Sequence, residues 1–485
     1  MSTLSLFNPV LACTLLLAAR ASAQDAAPAQ DFDARLAREL AVPGGLSSDQ
    51  VAERALATSF DVRARQSQLL AAAADADRAL LGYLPVLTAA AGATWFTDTG
   101  VTTLGDLVVA PGQAPGPLPA GAELVNFPFD LKPILHAYAL QTSLLVPVSD
   151  YFLRVAPSRS AAEHAERASS HTVDSTRSQV ATDARVAYYG WVRAKLSLVI
   201  SEQALADARA HLGDAKAAED AGAASPADTL RVESQVARSE LLVVNTRSLA
   251  AVSEERVRTL VHDASSAPFA IGEDIRQAPR SASAASQVSR LNELWSEAER
   301  MRPELKALGE NALALQRSAR VDRAGMLPRL DLLAAGTYAN PNPRIFPPED
   351  EFRAEWQAGV RLAWNITELP SAALRARAND ARSAALDSER LALFDRIRVE
   401  VRAAAHALDD SGVALETTQR GLDYAEESYR VRRISYQNGA STSVELLDAE
   451  TDLTRARLER LNAEIDARIA RVRLDYAIGR ALPGP

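Results

Sequence analysis

The stretch Phe352-Arg353-Ala354-Glu355-Trp356-Gln357-Ala358-Gly359-Val360-Arg361-Leu362-Ala363-Trp364-Asn365-Ile366 changes character at every residue. Phe352, Ala354, Trp356, Ala358, Val360, Leu362, Trp364 and Ile366 are apolar, and Arg353, Glu355, Gln357, Arg361 and Asn365 stand between them. A period of two puts successive side chains on opposite faces of a strand. The spacing therefore predicts a strand with one apolar and one polar face. A strand crossing a membrane needs about 9–11 residues, apolar towards lipid and polar towards the lumen. The stretch is long enough, and Trp356 and Trp364 are placed to mark the two edges of an apolar band. Three other segments repeat the pattern. Leu87, Ala89, Ala91, Ala93 and Trp95 form one face; Tyr138, Leu140, Thr142, Leu144, Val146 and Val148 a second; Leu330, Leu332, Ala334, Gly336 and Tyr338 a third. A soluble sandwich alternates in the same way, so the surroundings of these strands decide.

The surroundings are long helices, in two copies. Asp61 and Glu304 open similar alanine-rich runs that end in Leu84-Pro85-Val86-Leu87 and Leu327-Pro328-Arg329-Leu330, 243 residues apart at both landmarks. Gly222-Ala223-Ala224-Ser225-Pro226-Ala227-Asp228 and Gly439-Ala440-Ser441-Thr442-Ser443-Val444-Glu445 form a second pair, 217 apart. The first copy carries its extra residues in the Gly/Pro-rich stretch 100–133, whose counterpart is 340–351. Each copy reads helix, strand, loop, strand, long helix, tight turn, helix. The first helices are expected over 47–84, with Ser47 or Ser48 as N-cap, and over 287–326; Pro85 and Pro328 stop them. The long helices are expected over 158–221 and 371–438, neither interrupted by proline. At 1.5 Å per residue each reaches about 100 Å.

These helices have a seam. Ala184, Trp191, Leu198, Leu205 and Leu212 fall seven apart, against a second line of Ala187, Ala194, Ala208 and Ala215 in which Ser201 is a gap. Val401, Leu408, Leu415, Leu422 and Tyr429 face Ala404, Ser411, Thr418 and Ala425 in the second copy. A sustained period of 3.5 residues means helices winding on neighbours.

Composition narrows the function. Of 485 residues 47% are hydrophobic and 24% charged, a folded composition. A net charge of −9 argues against a nucleic-acid partner. Cys13 is the sole cysteine, so neither a disulfide framework nor a cysteine site is expected in the folded body. Residues 1–23 read as a secretory signal: an apolar Leu11–Ala19 run, then Ala21-Ser22-Ala23 as a cleavage site. Processing as a lipoprotein at Cys13 is the alternative. Residues 24–46 read as a linker, 47–263 as the first repeat, 264–286 as a second linker, 287–478 as the second repeat and 479–485 as a tail. The six histidines are scattered without an H-E-x-x-H pattern, methionines are few, and there is no phosphate-binding glycine loop. No enzyme, cofactor or metal site is expected. Four strands cannot close a barrel, and open edges are not tolerated in lipid; strands that span a membrane here require other copies. Three copies would supply twelve.

With its paired Leu-Pro-x-Leu junctions and its two glycine turns leading into heptad helices, the chain resembles the TolC family of outer-membrane efflux ducts over nearly all of its length after residue 23. The resemblance implies a mainly α fold with a small membrane β part. A homotrimer would pool four strands per chain into a twelve-stranded barrel, continued as a helical barrel through the periplasm of a Gram-negative bacterium. Loops 100–133 and 340–351 would face outside, and turns 222–228 and 439–445 would be the periplasmic tips. In the family the tips close the tunnel and meet a periplasmic adaptor, with an inner-membrane pump supplying energy. That reading assigns Gly222, Ser225, Pro226, Asp228, Gly439, Ser441 and Val444 to the tip and adaptor contact. It assigns Glu445, Asp448 and Tyr436 to the constriction. Trp95, Tyr138, Tyr338, Trp356 and Trp364 would form the aromatic girdle. Glu445 and Asp448 are three apart on one helix face, and threefold symmetry would make them a ring of carboxylates selecting cations. Asp228 and Glu445 also read as plain helix-start acids favoured by the helix dipole. Ser441 stands where the family carries a gate arginine. An exit duct for small toxic compounds is the first reading, a duct for protein secretion the second, and a secreted coiled-coil scaffold or adhesin without a channel the alternative from another class.

Overall fold

The computed structural model describes residues 27–276 and 287–482, apart from Thr99, Val101, Gln113, Pro115, Leu118, Pro119, Lys132 and Ala223. Residues 1–23, expected as a secretory signal, and Cys13 with its alternative processing lie outside the described residues. The elements run in the order α1 (Ala27–Glu39), α2 (Ser48–Thr58), α3 (Phe60–Leu81), β1 (Val86–Trp95), β2 (Thr102–Val109), β3 (Val125–Leu131), β4 (His136–Val146), α4 (Ala156–Asp220), α5 (Pro226–Val261), α6 (Gln287–Met301), α7 (Pro303–Ala324), β5 (Arg329–Asn340), β6 (Arg353–Ala363), α8 (Leu369–Gln437) and α9 (Ser443–Ala477). Short helical turns, Val148–Val155 and Ile366–Glu368, lead into α4 and α8.

The chain forms two compact units: one of residues 70–167 and 310–387, the other of the rest. The first unit holds a four-stranded antiparallel sheet in the order β1-β4-β5-β6. Its register joins the four apolar faces read from the sequence: Leu87 lies opposite Leu144, Leu144 opposite Ala334, and Ala334 opposite Ala358. Directly paired residues share a face, so Leu87–Trp95, Tyr138–Val146, Leu330–Tyr338 and Ala354–Leu362 all point to one side. That side is uncovered: Trp356 is 81% exposed, and Leu87, Val360 and Leu362 are exposed with it. The other side is mixed, with Val86, Leu145 and Leu333 in one row and polar groups around them. Asp331, 1% exposed, accepts from Arg329 Nε at 2.6 Å and Arg361 Nη2 at 2.9 Å. The hydroxyls of Thr88 and Ser143 meet across β1 and β4 at 2.5 Å. β1 and β6 are the open edges of this sheet.

Four expectations need correction here. The stretch 100–133 is not a bare loop but contains the β2–β3 hairpin, a separate two-stranded sheet with a register shift between Thr103 and Asp106. Gly105 and Pro128 inside those strands mask their alternation. The strand of the opening stretch stops at Ala363, so Trp364 and Ile366 stand past its end. Residues 24–46 are not all linker, because α1 occupies 27–39. The first helix of each copy is broken in two. Ser59 leaves the helical region (φ −58°, ψ 126°) between α2 and α3. The matching break falls at Arg302, where Pro303 forces the preceding residue out of the helical region. Arg302 is buried and held by Glu304 (3.1 Å), Glu400 (3.4 Å) and the Tyr476 carbonyl (3.0 Å).

The second unit is helical and carries the main cores. α2 starts on a capping box in which Gln50 N–H donates to Ser47 Oγ and Ser47 N–H donates to Gln50 Oε1. Its Val51, Ala52 and Ala55 pack with Tyr188, Trp191, Val192 and Leu196 of α4 and with Val257, Ile271 and Ile465. A second core joins Ala298 and Leu305 to Ile397, Val401, Ala405 and Leu474. The small seam line Ala187, Ala194, Ser201, Ala208 and Ala215 is buried throughout. On α8 only Val401 and Ser411 of the seam are buried; the rest stay half-covered. Apolar residues outside the seam remain bare: Leu230, Leu241 and Val252 on α5, and Leu391, Val399 and Val413 on α8.

Candidate functional site

The two glycine turns share one construction. After α4, Gly222 takes φ +71°, its N–H donates to the Glu219 carbonyl (2.8 Å), and Ala224 N–H donates to the Ala218 carbonyl (3.2 Å). After α8, Gly439 takes φ +71°, its N–H donates to the Tyr436 carbonyl (2.9 Å), and Ala440 N–H donates to the Ser435 carbonyl (2.8 Å). A left-handed residue closes both helices by satisfying their last carbonyls, and glycine takes that conformation without steric cost. Both returning helices then begin on capping boxes. Asp228 N–H donates to Ser225 Oγ (3.3 Å) and Ser225 N–H to Asp228 Oδ2 (3.3 Å), with Pro226 as the first helical residue. Glu445 N–H donates to Thr442 Oγ1 (3.4 Å) and Thr442 N–H to Glu445 Oε2 (3.4 Å).

Glu445 has more partners than Asp228. The Ser441 hydroxyl donates to its Oε2, and so does Arg432 Nη1 at 2.8 Å. The Ser441 hydroxyl, then the Thr442 amide and the Arg432 charge, hold its carboxyl below the usual carboxylate range. The Ser225 hydroxyl and amide do the same for Asp228. Asp448, one turn further along α9, is exposed. Val444 is half-buried beside it. Tyr436 packs its ring against His211 of α4, centroids 5.0 Å apart. His211 is buried, and its Nε2 meets Ser443 Oγ at 3.4 Å. Burial pushes the imidazole down towards its neutral form. Burial, then Asp214 and Asp228, push the Tyr436 phenol up. Ala215, Val232, Leu447 and Leu212 form a small apolar core that joins α4, α5 and α9 near both turns.

At the loop end of the sheet, aromatic rings run across all four strands. Trp95 meets Tyr138 edge-on (6.2 Å), and Phe352 stacks on both Tyr138 (6.2 Å) and Tyr338 (5.1 Å). At the helix end, Trp364 Nε1 donates to the Met326 carbonyl at 3.2 Å. Trp356, opposite Gly336, stands further into the strands than the loop-end rings.

Residues 294–480 match the family model described as outer membrane efflux protein. The matched stretch runs from within α6 to just past the end of α9. A search of curated proteins finds no match. Solved structures agree on the fold. The outer-membrane channel OprN is 20% identical with a TM-score of 0.66, over 89% of this chain and 89% of that one. CusC is 14% identical with a TM-score of 0.70, over 91% and 94%. The CmeC outer membrane channel of Campylobacter jejuni is 13% identical with a TM-score of 0.67, over 90% and 89%.

The residues singled out for the tip lie at the two turns: Gly222, Ser225, Pro226 and Asp228 at one, Gly439, Ser441, Val444, Glu445 and Asp448 at the other, with Tyr436 behind them. Thr442, Arg432 and His211 complete the arrangement and were missed. The Ser225-x-x-Asp228 and Thr442-x-x-Glu445 spacings are readable capping signals. Arg432 and His211 carry no local signal, because their partners lie 13 and 232 residues away. Among the described residues no group of three His, Cys, Asp or Glu side chains could hold a metal.

Proposed function

We propose that the chain is one third of an outer-membrane exit duct that passively conducts small molecules delivered by a periplasmic adaptor and an inner-membrane pump. The observation that carries this reading is the sheet. It has strands of 10–12 residues, an uncovered apolar face, a reverse face that holds the buried Asp331 between Arg329 and Arg361, and two open edges. In lipid an open edge leaves each unpaired backbone group unsatisfied at a cost of several kcal/mol, so β1 and β6 must pair with other copies. Three copies close a barrel of a size found in outer membranes. The bare apolar residues on α5 and α8 supply further surface for neighbouring copies, and the paired turns support reading the chain as two copies of one plan. Matches to outer-membrane channels over about nine-tenths of the chain support the same reading.

Under this reading the turns form the periplasmic end, where Gly222, Ser225, Pro226, Gly439, Ser441 and Val444 meet the adaptor. Glu445 and Asp448 ring the constriction. Arg432 offsets the charge of Glu445, which leaves Asp448 the freer carboxylate. The test is conductance of detergent-extracted protein in a planar bilayer. Discrete channels with cation preference are expected. Replacing both Glu445 and Asp448 by alanine should weaken that preference, and Arg432→Ala should strengthen it. Channels with unchanged selectivity in both variants would remove these residues from the constriction. Protein that inserts nowhere and dissolves without detergent would return the scaffold reading.

A further inference from the structure

We propose that Asp207 of α4 and Glu450 of α9 form a proton-operated lock: α9 packs firmly on α4 while Glu450 holds a proton and loosens when that proton leaves. Glu450 is 4% exposed and sits on the buried face of α9 with Leu446, Leu447, Ala449 and Leu453. No hydrogen bond or ion pair reaches its carboxyl among the described residues. The side chain lines a groove of about 650 Å³ beside α5 and α9. A carboxylate in such a place cannot stay ionised without a partner.

The surroundings explain why the proton belongs on Glu450. Asp207 accepts from Gln203 Nε2 (2.9 Å), and Gln203 Oε1 accepts from Arg35 Nη1 of α1 (2.8 Å). Burial raises the Asp207 carboxyl too, but the Gln203 bond and the charges of Arg457 of α9, Arg433 of α8 and Arg35 work against that rise. Burial, then the charge of Asp207, push the Glu450 pKa up to about 8. Tyr429 of α8 faces both acids and stays a neutral phenol, pushed up to about 12 by burial and then by the two carboxyls. Arg231 and Arg238 of α5, with Asp448, Arg455 and Glu459 of α9, line the same groove. Arg457 also approaches Glu426 of α8 (4.0 Å). His211, one turn along α4 from Asp207, faces Tyr436 and Ser443 instead.

The sign follows from linkage. An acid with a raised pKa keeps its proton in the packed state at pH values where the opened state releases it. Opening is therefore favoured progressively as pH rises from the ordinary carboxyl value of 4.5 towards about 8, and levels off above that. The slope has a ceiling of about tenfold in the opening equilibrium per pH unit.

Hydrogen exchange of the full chain in detergent tests this between pH 6.5 and 9, with intrinsic exchange rates divided out. The lower limit stays clear of His211. Amides of residues 446–454 should lose up to about tenfold protection per unit to pH 8 and then level off. Glu450→Gln should make the profile flat, and Asp207→Asn should move the levelling-off to lower pH. A flat profile in the unmodified chain, or an unchanged slope in Glu450→Gln, overturns the lock. If Glu450→Gln fails to assemble, an Asp207→Asn profile identical to that of the unmodified chain does the same. A consequence for transport, easier opening of the turn region in alkali, rests on the duct reading. Conductance that stays constant with pH while exchange shows the slope would remove that consequence and leave the lock standing.

Discussion

Single residues set the geometry of the turns. Gly222 and Gly439 both sit at φ +71° with open space where a Cβ would stand, so the cost of a substitution is conformational rather than steric crowding. A non-glycine residue in the left-handed region costs about 1 kcal/mol. Gly439→Ala should therefore raise hydrogen exchange at Ala440 and its neighbours about fivefold. Rates unchanged from those of the unmodified chain would mean that the turn relaxes without its bond from Ala440 to Ser435. The capping acids respond to pH in the opposite sense to Glu450. Asp228 and Glu445 are held below their ordinary values of 3.8 and 4.5, so their caps are present above those values and lost as pH falls through the lowered ones. Nuclear magnetic resonance titration of the two carboxyls should find both midpoints below the model-peptide range. A midpoint at or above that range would contradict the caps.

Elements carry the membrane argument. Four strands place their apolar residues on one shared face, and that face is separated from the polar one by a single residue step. A charge added to the apolar face near mid-strand costs about 2–4 kcal/mol at the bilayer midplane. Val360→Arg should therefore reduce assembled, heat-resistant protein on gels, and Gln357→Arg on the other face should leave it unchanged. Equal assembly of both variants would mean the two faces share one environment. The strands and long helices were legible because periods of two and of three and a half persist over many residues. The short elements were not. β2 and β3 hide behind Gly105 and Pro128. The break at Arg302 is signalled by Pro303, whereas the break at Ser59 has no proline to announce it and is bridged by local bonds, from Ser59 N–H to the Ala55 carbonyl and from Val62 N–H to Ser59 Oγ. The buried acid at Glu450 left a faint trace, an acidic residue among Leu446, Leu447, Ala449 and Leu453.

For the whole molecule, what the single chain lacks is as informative as what it contains. Among the described residues the apolar sheet face has no cover, β1 and β6 have no outer partners, and the seam of α8 is mostly half-covered. Apolar patches of this extent on a soluble monomer would drive association. Under the proposed duct, lipid on the sheet face and two further copies at the edges would account for all three. The expectation of other copies rests on the number of strands, and the expectation of three rests on the resemblance rather than on a residue pattern. The most direct measurement is the mass of the detergent-extracted protein by native mass spectrometry. Three chains per particle is the expected result. A particle of one chain, stable after the detergent is removed, would contradict the shared barrel and the duct with it.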